Sequence, residues 1–379
     1  MFTKENEAYM RRALELARTG EGRVSPNPPV GCVIVNNNRI VGEGWHDRLG
    51  DLHAEAMALR HAGDAARDAD VYVTLSPCVT QGRQPPCSDA LIEAGVARVY
   101  VAATDPNPDN ADGVAVLNAA GVAATAGLLR EEGEYCARGF YKKMRRGLPW
   151  LTLKYAMTMD GRVAAVSGDS RWISGPESRE MVQDMRSRHD AILVGSGTAL
   201  SDNPLLNVRE PVWSRRGGAE THRQPFRVVV DSRCRLPADA AMLDPRRGPG
   251  GKVVVACVEG ADQGRSGLLR RAGADVLSFS SETDRVPLEA LLRELGERGV
   301  NTILCESGGE LSASLLAGGL VDEIVAFVAP KVIGGKNAPG PIGGKGIERM
   351  ANAAPVQLKE CFRVGDDIVI RSLVQNAKQ

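Results

Sequence analysis

His53-Ala54-Glu55, the run Val71-Tyr72-Val73-Thr74-Leu75, then Ser76-Pro77-Cys78 and Pro85-Pro86-Cys87 form the stretch on which the reading of this chain turns. One imidazole and two thiols are three of the four ligands of a catalytic zinc, with one position left open. A carboxylate two residues after the histidine, Glu55, then belongs beside that open position as general acid and base rather than as a ligand. A structural zinc would take a fourth protein ligand, and none is evident nearby. Singly, a histidine at a helix start and two small thiols read as surface and core residues. As a set, with a strand feeding Cys78 and a proline before each cysteine, they predict a metal centre of His53, Cys78 and Cys87.

Working outward, Glu5 to Arg18 repeats small apolar residues at helical spacing and stops at Gly20. The rigid loop 25–29 delivers a strand over Val30–Val35, Asn36-Asn37-Asn38 turns the chain, and Ile40-Val41-Gly42 returns as the hairpin partner. A helix then runs from His53 to about His61, the strand 71–75 ends at Cys78, helix continues over Ala90–Glu93, and Val96–Ala102 is the next strand. Alternating strands and helices predict a layered α/β domain with a mixed sheet, its reactive groups beyond the carboxyl ends of strands and at helix starts. Gly113–Leu129 supplies another helix and a small-residue strand. Glu131–Arg146 reads as one helix ending in a solvated basic face, broken by Gly147-Leu148-Pro149.

That break is the expected boundary between residues 1–147 and 148–379, since 379 residues exceed one ordinary core. Acids and bases balance at 47 each and aromatics are 4 %, so neither nucleic acid nor an anionic membrane surface is expected as a partner. The polar start and the lack of a long apolar run predict no signal segment and no membrane span. Eight cysteines, six of them scattered through apolar segments, fit reduced thiols and a cytoplasmic location.

The second half repeats a pattern of apolar strand followed by small or polar residues: Trp150–Ala156, Ala191–Val194 into Gly195-Ser196-Gly197-Thr198, Phe226–Ser232, Lys252–Ala256, and Thr302–Glu306 into Ser307-Gly308-Gly309. Glycines between a strand and a helix start let backbone amides approach a phosphate. A Gly-x-Gly-x-x-Gly fingerprint is absent, so the residues alone leave nucleotide binding open. Helices are expected at Pro176–Ser187 and up to Leu316, a strand at Ile324–Val328, a glycine-rich loop to Gly346 and a closing strand over 365–374. The stretches 215–221 and 244–252 read as exposed loops.

Taken together, the motifs resemble the bifunctional riboflavin-biosynthesis deaminase/reductase family along nearly the whole chain. The first half carries Pro26-Asn27-Pro28, Val30-Gly31, Gly42-Glu43-Gly44, His46, His53-Ala54-Glu55, Pro77-Cys78 and Gly82-Arg83 through Pro85-Pro86-Cys87, with eight residues between the cysteines. The second half carries Met159-Asp160-Gly161-Arg162, Ser170-Arg171-Trp172-Ile173-Ser174, Asp202-Asn203-Pro204, Arg209, Asp231-Ser232, Glu306 and Leu320-Val321-Asp322-Glu323. The resemblance implies a cytidine-deaminase-like three-layer N-terminal domain and a C-terminal domain of dihydrofolate-reductase-like fold. It also implies Zn2+ and NADPH as cofactors. The first domain would hydrolyse an amino group from a diaminohydroxy-phosphoribosylamino-pyrimidine, and the second would reduce the ribosylamino chain to ribitylamino. Carried over by position, Ala156, Trp172, Thr198, Asp202, Ser232, Gly308, Gly309, Glu310, Leu311, Ser312, Ala313 and Ser314 would contact the cofactor. Ser170, Arg186, Leu206, Arg209 and Glu306 would contact the substrate, and the two guanidiniums suit a phosphate.

The chain departs from the family pattern at Ser25, Pro29, Ser76, Val79-Thr80 and 109–114, where a Gly-Lys-Gly is common, all around the deaminase pocket. Zinc ligands and Glu55 are retained, so an active deaminase with altered pocket contacts is expected. The alternative reading is a working reductase with a zinc domain that is inactive or acts on another amine. A homo-oligomer is expected, with apolar strands such as 324–328 and 368–374 available to pair between copies.

Overall fold

Period-two alternation along short apolar strands dictates a sheet that is covered on both faces, and the first unit, Met1–Gly147, is built that way. The computed structural model describes residues 2–81, 84–108, 110, 112–209, 212 and 223–375. The proposed loop 215–221 and Gly82, Arg83 and Asp109 lie outside these described residues. Helix α1 (Lys4–Thr19) begins at a Thr3 capping box closed by Asn6. Strands β1 (Gly31–Asn36) and β2 (Arg39–Trp45) form the hairpin, turning through Asn37 and Asn38, both in the left-handed region. Helix α2 (Ala54–Ala62), β3 (Asp70–Leu75), α3 (Cys87–Glu93), β4 (Arg98–Ala103), α4 (Gly113–Ala119) and β5 (Ala123–Ala126) follow. The sheet order is β2-β1-β3-β4-β5, antiparallel up to β3 and parallel beyond it.

Alternate residues of the strands serve two cores. Val33, Val35 and Tyr72 pack with Met10, Ala13 and Leu14 of α1, while Cys32, Ile34, Val71 and Val73 pack with Ala54, Ala58 and Leu91 of the opposite layer. The expected single helix 131–146 is two, α5 (Arg130–Cys136) and α6 (Arg138–Arg146). The break is Ala137, whose backbone leaves the helical region at φ −97°, ψ 21°. Nor is the basic end of α6 a wholly solvated face: Lys142 is buried.

The second unit, Leu148–Gln379, is organised on nine strands. In chain order they are β6 (Trp150–Thr158), β7 (Ala191–Gly195), β8 (Phe226–Val230), β9 (Val253–Val258), β10 (Asp275–Phe279), β11 (Thr302–Cys305), β12 (Glu323–Ala329), β13 (Val356–Val364) and β14 (Asp367–Val374). They lie in the order β10-β9-β8-β7-β11-β6-β12-β14-β13, parallel as far as β12 and antiparallel at the last two junctions. Strand order reverses beside β11, and in open parallel sheets ligands bind beyond the carboxyl ends at such a point. Among the described residues its helices include α7 (Pro176–Arg188), α8 (Ser196–Asp202), α9 (Gln263–Arg271), α10 (Leu288–Glu297) and α11 (Gly309–Ala317). Leu151, Leu153, Leu193 and Ile303 pack under α10 and α11 on one face, and Ile192, Val194, Val229 and Val255 form the core of the other.

Hydrophobic-run reading misses α9, α10, β10 and β13. Edge strand β13 is exposed along nearly its whole length, so it carries no apolar run to find. Among the described residues no helix is long and apolar enough to cross a membrane.

Candidate active sites

Glycine puts the first site together. A Cβ on Gly44 would meet the Ala54 carbonyl at 2.1 Å, and one on Gly42 the Ala58 carbonyl at 2.3 Å. Without side chains there, α2 seats directly on β2 and its first turn is held over the sheet end. His53 is the extended N-cap of α2, and Glu55, in that first turn, is buried. Beyond β3 the chain passes Pro77 to Cys78, and Pro86 opens α3 with Cys87 as its first residue. The sulfur atoms of Cys78 and Cys87 lie 3.5 and 3.4 Å from His53 Nδ1, and the three ligand atoms all fall within 4.8 Å of one another.

A tetrahedral zinc with ordinary Zn–S and Zn–N bonds spaces its sulfur and nitrogen ligands about 3.6 Å apart, so this arrangement fits the ion. Without the ion the two thiols are shifted in opposite directions. The Cys78 thiol is pulled down to about 4, chiefly because Cys87 hydrogen-bonds to it, with burial opposing and His53 adding to the pull. Cys87, donating to that thiolate and buried, is pushed up. The Cys87 backbone N–H also donates to Cys78 Sγ at 3.3 Å. Burial, and then the Cys78 thiolate, raise the Glu55 carboxyl above its ordinary value, the direction that favours a group able to hold a proton.

His46, carried from the sequence motif, stands edge-on to His53 with ring centres 5.6 Å apart. Its Nδ1 lies 3.1 Å from the Leu52 carbonyl and its Nε2 3.2 Å from Asn27 Nδ2. A carbonyl only accepts, so Nδ1 carries the proton and Nε2 accepts from the amide; burial, which lowers its pKa, keeps the ring neutral. Gln84, which the sequence reading passed over, ties the two ligand loops: its Nε2 donates to the Asp51 carbonyl (2.9 Å) and its Oε1 accepts from the His53 N–H (3.4 Å).

These groups open on a cavity of about 550 Å³, a size that takes a nucleotide-scale ligand. Ser76 lines it with a buried hydroxyl that has no protein partner. Thr80 donates to Asn110 and Asn110 to Asp105 along its rim. No lysine or arginine is among the described lining residues.

The second site lies beyond the carboxyl ends of β6, β7 and β11. Glu306 follows β11 and accepts two bonds from Arg186 on α7, from Nε at 2.6 Å and Nη2 at 3.1 Å. Lys154, in the middle of β6, brings its ammonium to 3.8 Å from the same carboxylate. Burial would raise Glu306, but the Arg186 and Lys154 charges outweigh it and hold the carboxyl at about 2. Burial lowers Lys154, partly offset by Glu306. Arg186 also donates from Nη1 to the Asn207 carbonyl (3.2 Å), so its donors are largely committed to the protein. Arg209 stands near this pair, lowered by burial and by the Arg186 charge, with its backbone N–H on Gln183 Oε1. Lys154 is absent from the sequence-derived set; a lysine inside an otherwise apolar central strand is the signal that marks it.

The residues carried over as cofactor contacts gather in part around two turns. A Cβ on Gly197 meets nothing within 4 Å, and one on Gly308 finds only the Thr198 hydroxyl, at 3.8 Å. That leaves an open cradle between the turns after β7 and β11, with glycine backbone and a hydroxyl as donors, which fits a dinucleotide's phosphates. Gly308 caps α11 in extended conformation. Gly309 and Glu310 are tied to the glycine-rich loop, through Gly343 N–H on the Gly309 carbonyl and Gly344 N–H on Glu310 Oε1. Ser312 and Ser314 donate to carbonyls of their own helix, and Leu311 packs against the core. Ser232 Oγ accepts from the Val286 N–H, and Asp202 accepts from Ser201. Trp172 is exposed, with the Arg179 guanidinium 4.8 Å from its ring centre, and its carbonyl accepts from Lys331. Ala156 lies in β6, Ser170 is exposed and Leu206 is buried in the core.

Comparison with known proteins matches both units. Residues 3–103 match the family described as the cytidine and deoxycytidylate deaminase zinc-binding region, and residues 149–370 match the RibD C-terminal domain. The chain is 41 % identical to the riboflavin biosynthesis protein RibD of Actinobacillus pleuropneumoniae, covering 97 % of this chain and 94 % of that one. Against the Escherichia coli protein of the same name it is 40 % identical, covering 97 % and 98 %. A solved structure of Acinetobacter baumannii RibD superposes with a TM-score of 0.84 at 36 % identity, covering 98 % and 99 %. A deaminase/5-amino-6-(5-phosphoribosylamino)uracil reductase from Thermotoga maritima gives 0.83 at 31 %, with the same coverage.

Proposed function

The chain belongs to the RibD family of riboflavin-biosynthesis proteins, and from that premise we propose which of its residues perform the two reactions. It is a bifunctional enzyme, a zinc-dependent deaminase followed by an NADPH-dependent reductase. The observation that carries the first assignment is the meeting of His53 Nδ1, Cys78 and Cys87 within zinc-ligand spacing, beside the buried carboxyl of Glu55.

In residues 1–147, His53, Cys78 and Cys87 hold the metal. Zinc, when bound, supplies the Lewis acidity that brings a water's pKa to about 7. Glu55 holds the proton that hydrolysis takes from that water and returns it to the departing amine; the carbon–nitrogen bond breaks and ammonia leaves. His46, fixed by Leu52 and Asn27, keeps the His53 ring in place, as the supporting shell of a metal site does. The substrate is the diaminohydroxyphosphoribosylaminopyrimidine named for the Thermotoga maritima relative. The reading in which only the reductase works is disfavoured, because all three ligands and Glu55 are in position.

In residues 148–379, the turns carrying Thr198, Ser232 and Gly308 hold NADPH, which when bound supplies hydride. We assign Lys154 Nζ to hold the accompanying proton, since its ammonium stands 3.8 Å from Glu306 in the second site and burial lowers its pKa below the ordinary lysine value. Arg209 takes the substrate phosphate. Arg186 positions Glu306, its own donors being spent on Glu306 and Asn207.

Strands 324–328 and 368–374, expected to pair between copies, are each flanked on both sides within the sheet and have no open edge. Exposed Leu358 and Phe362 on edge strand β13 support a homo-oligomer that adds strands across this edge instead. Eight unpaired cysteines support a cytoplasmic enzyme. Protein supplied with zinc, NADPH and the pyrimidine, with ammonia release and NADPH oxidation followed separately, tests the two assignments together. Ammonia release with no NADPH oxidation, or NADPH oxidation of a supplied deaminated intermediate with no ammonia release, rejects one half.

A further inference from the structure

The structure assigns to Arg235, together with Ser196, the reading of the 2′-phosphate that distinguishes NADPH from NADH. The assignment rests on the cofactor crevice proposed above. Strand β8 ends at Val230, and the next residues make a tight turn in which the Cys234 N–H donates to the Asp231 carbonyl at 3.0 Å. Cys234 sits in the left-handed region at φ 51°, and the fully buried Asp231 accepts the Leu236 N–H on Oδ2 at 2.7 Å. The turn is thereby pinned to one residue, through the backbone carbonyl of Asp231 and through its carboxylate. Arg235 projects from it with Nε 3.6 Å from Asp231 Oδ1 and Nη2 donating to Ser196 Oγ at 2.5 Å.

Ser196 directly follows β7, one residue before Gly197 and two before Thr198, so the guanidinium spans from the turn after β8 to the edge of the cradle. Its side chain is half exposed, and two of its five N–H groups face Ser196 and Asp231. The rest remain available to a ligand beside the Ser196 hydroxyl, with Ser232 next to Asp231 along the same turn. A phosphate ester on the adenosine ribose matches this set, because guanidinium donates paired charge-assisted bonds to phosphate. A ribose bearing a free 2′-hydroxyl gains little from it. In nucleotide sites on open α/β sheets an arginine in such a place accommodates the 2′-phosphate. Arg233, on the same turn and exposed, is the competing cation.

Three variants of the full-length enzyme test this: Arg235→Ala, Arg233→Ala and Gly308→Val. Binding of 2′,5′-ADP and of 5′-AMP is measured by titration calorimetry, and kcat/KM for NADPH and NADH on the deaminated substrate. Arg235→Ala is expected to weaken 2′,5′-ADP on the order of 30-fold, with 5′-AMP within about twofold of the parent. NADPH should lose the same factor in kcat/KM while NADH holds, and Arg235→Lys should recover part of the loss. Gly308→Val, which fills the cradle, should weaken both nucleotides alike. Equal losses for 2′,5′-ADP and 5′-AMP in Arg235→Ala, no loss for either, or the selective loss appearing in Arg233→Ala instead would overturn the assignment. If Gly308→Val weakens both nucleotides while Arg235→Ala is silent, only the arginine's role fails. A silent Gly308→Val overturns the crevice itself, and the arginine's role with it.

Discussion

Replacing Arg186 with methionine keeps most of the side chain's volume but removes the charge that holds Glu306. The Glu306 carboxyl sits at about 2 against an ordinary 4.5, a gap worth about 3 kcal/mol at neutral pH, shared between Arg186 and Lys154. Both partners of the pair are largely buried, with side chains 11 % exposed, so solvent screening discounts this little. Removing one member of a buried pair also strands the other charge, which typically costs about 3–5 kcal/mol. Arg186→Met is therefore expected to destabilise residues 148–379 by about 3 kcal/mol, with Lys154 at 3.8 Å softening the loss. In a unit of this size that lowers the melting temperature by about 6–12 °C.

Because the folded pKa is depressed, the stabilisation is present above the unfolded value of 4.5 and disappears as pH falls through about 2. The gap between parent and variant should thus be full at pH 7 and close steadily below pH 4.5. Calorimetric melts across pH 3 to 7, with Arg186→Met/Glu306→Gln as the second variant, make the measurement. The double variant should recover part of the loss, since it removes the stranded carboxylate and leaves only the Lys154 ammonium without its partner. A single variant that melts within about 1 °C of the parent at pH 7, or a gap that does not shrink in acid, would falsify the account of this pair.

Glu55→Gln is expected to cut ammonia release by about 10²–10⁴-fold while zinc content and reduction of a supplied deaminated intermediate stay at the parent level. Zinc lost along with activity would make Glu55 a ligand and reject the proton-carrier role. Gly44→Ala drives a Cβ to within 2.1 Å of the Ala54 carbonyl, so it should cost about 1–3 kcal/mol or more and weaken zinc retention by displacing His53. Gly260→Ala, with open space around it, should do neither; similar melts and zinc content for the two would sink the helix-seating argument. Leu358→Glu/Phe362→Glu on β13 should shift the enzyme toward monomer in light scattering with its melting temperature nearly intact, and an unchanged mass would remove that edge from the assembly.

How much was legible varied with the kind of signal. The zinc ligands could be read because residue type and spacing are local: a strand ending at Cys78 and a helix beginning at Cys87 are each set within a few residues. Buried strands such as Ala191–Gly195 announce themselves as apolar runs. Strand β13 does not, because an exposed edge has no apolar requirement. Helix α5 and helix α6 read as one element, since nothing in the composition near Ala137 marks a change of backbone angle.

The chain's own letters determined the two-part organisation, the alternation of strands and helices, and the identity of the imidazole, thiols and carboxyl at the first site. Folding alone decided the rest. It brought His53 Nδ1, Cys78 and Cys87 within ligand spacing, tied Arg186 to Glu306, brought an unremarked lysine on β6 to the same carboxylate, and joined Arg235 to Ser196 across two strands. The physical reason is range. Hydrophobic period and ligand type are properties of neighbours along the chain, whereas a proton's position or a guanidinium's partner depends on burial and on charges that meet only when segments 39 to 152 residues apart are packed together.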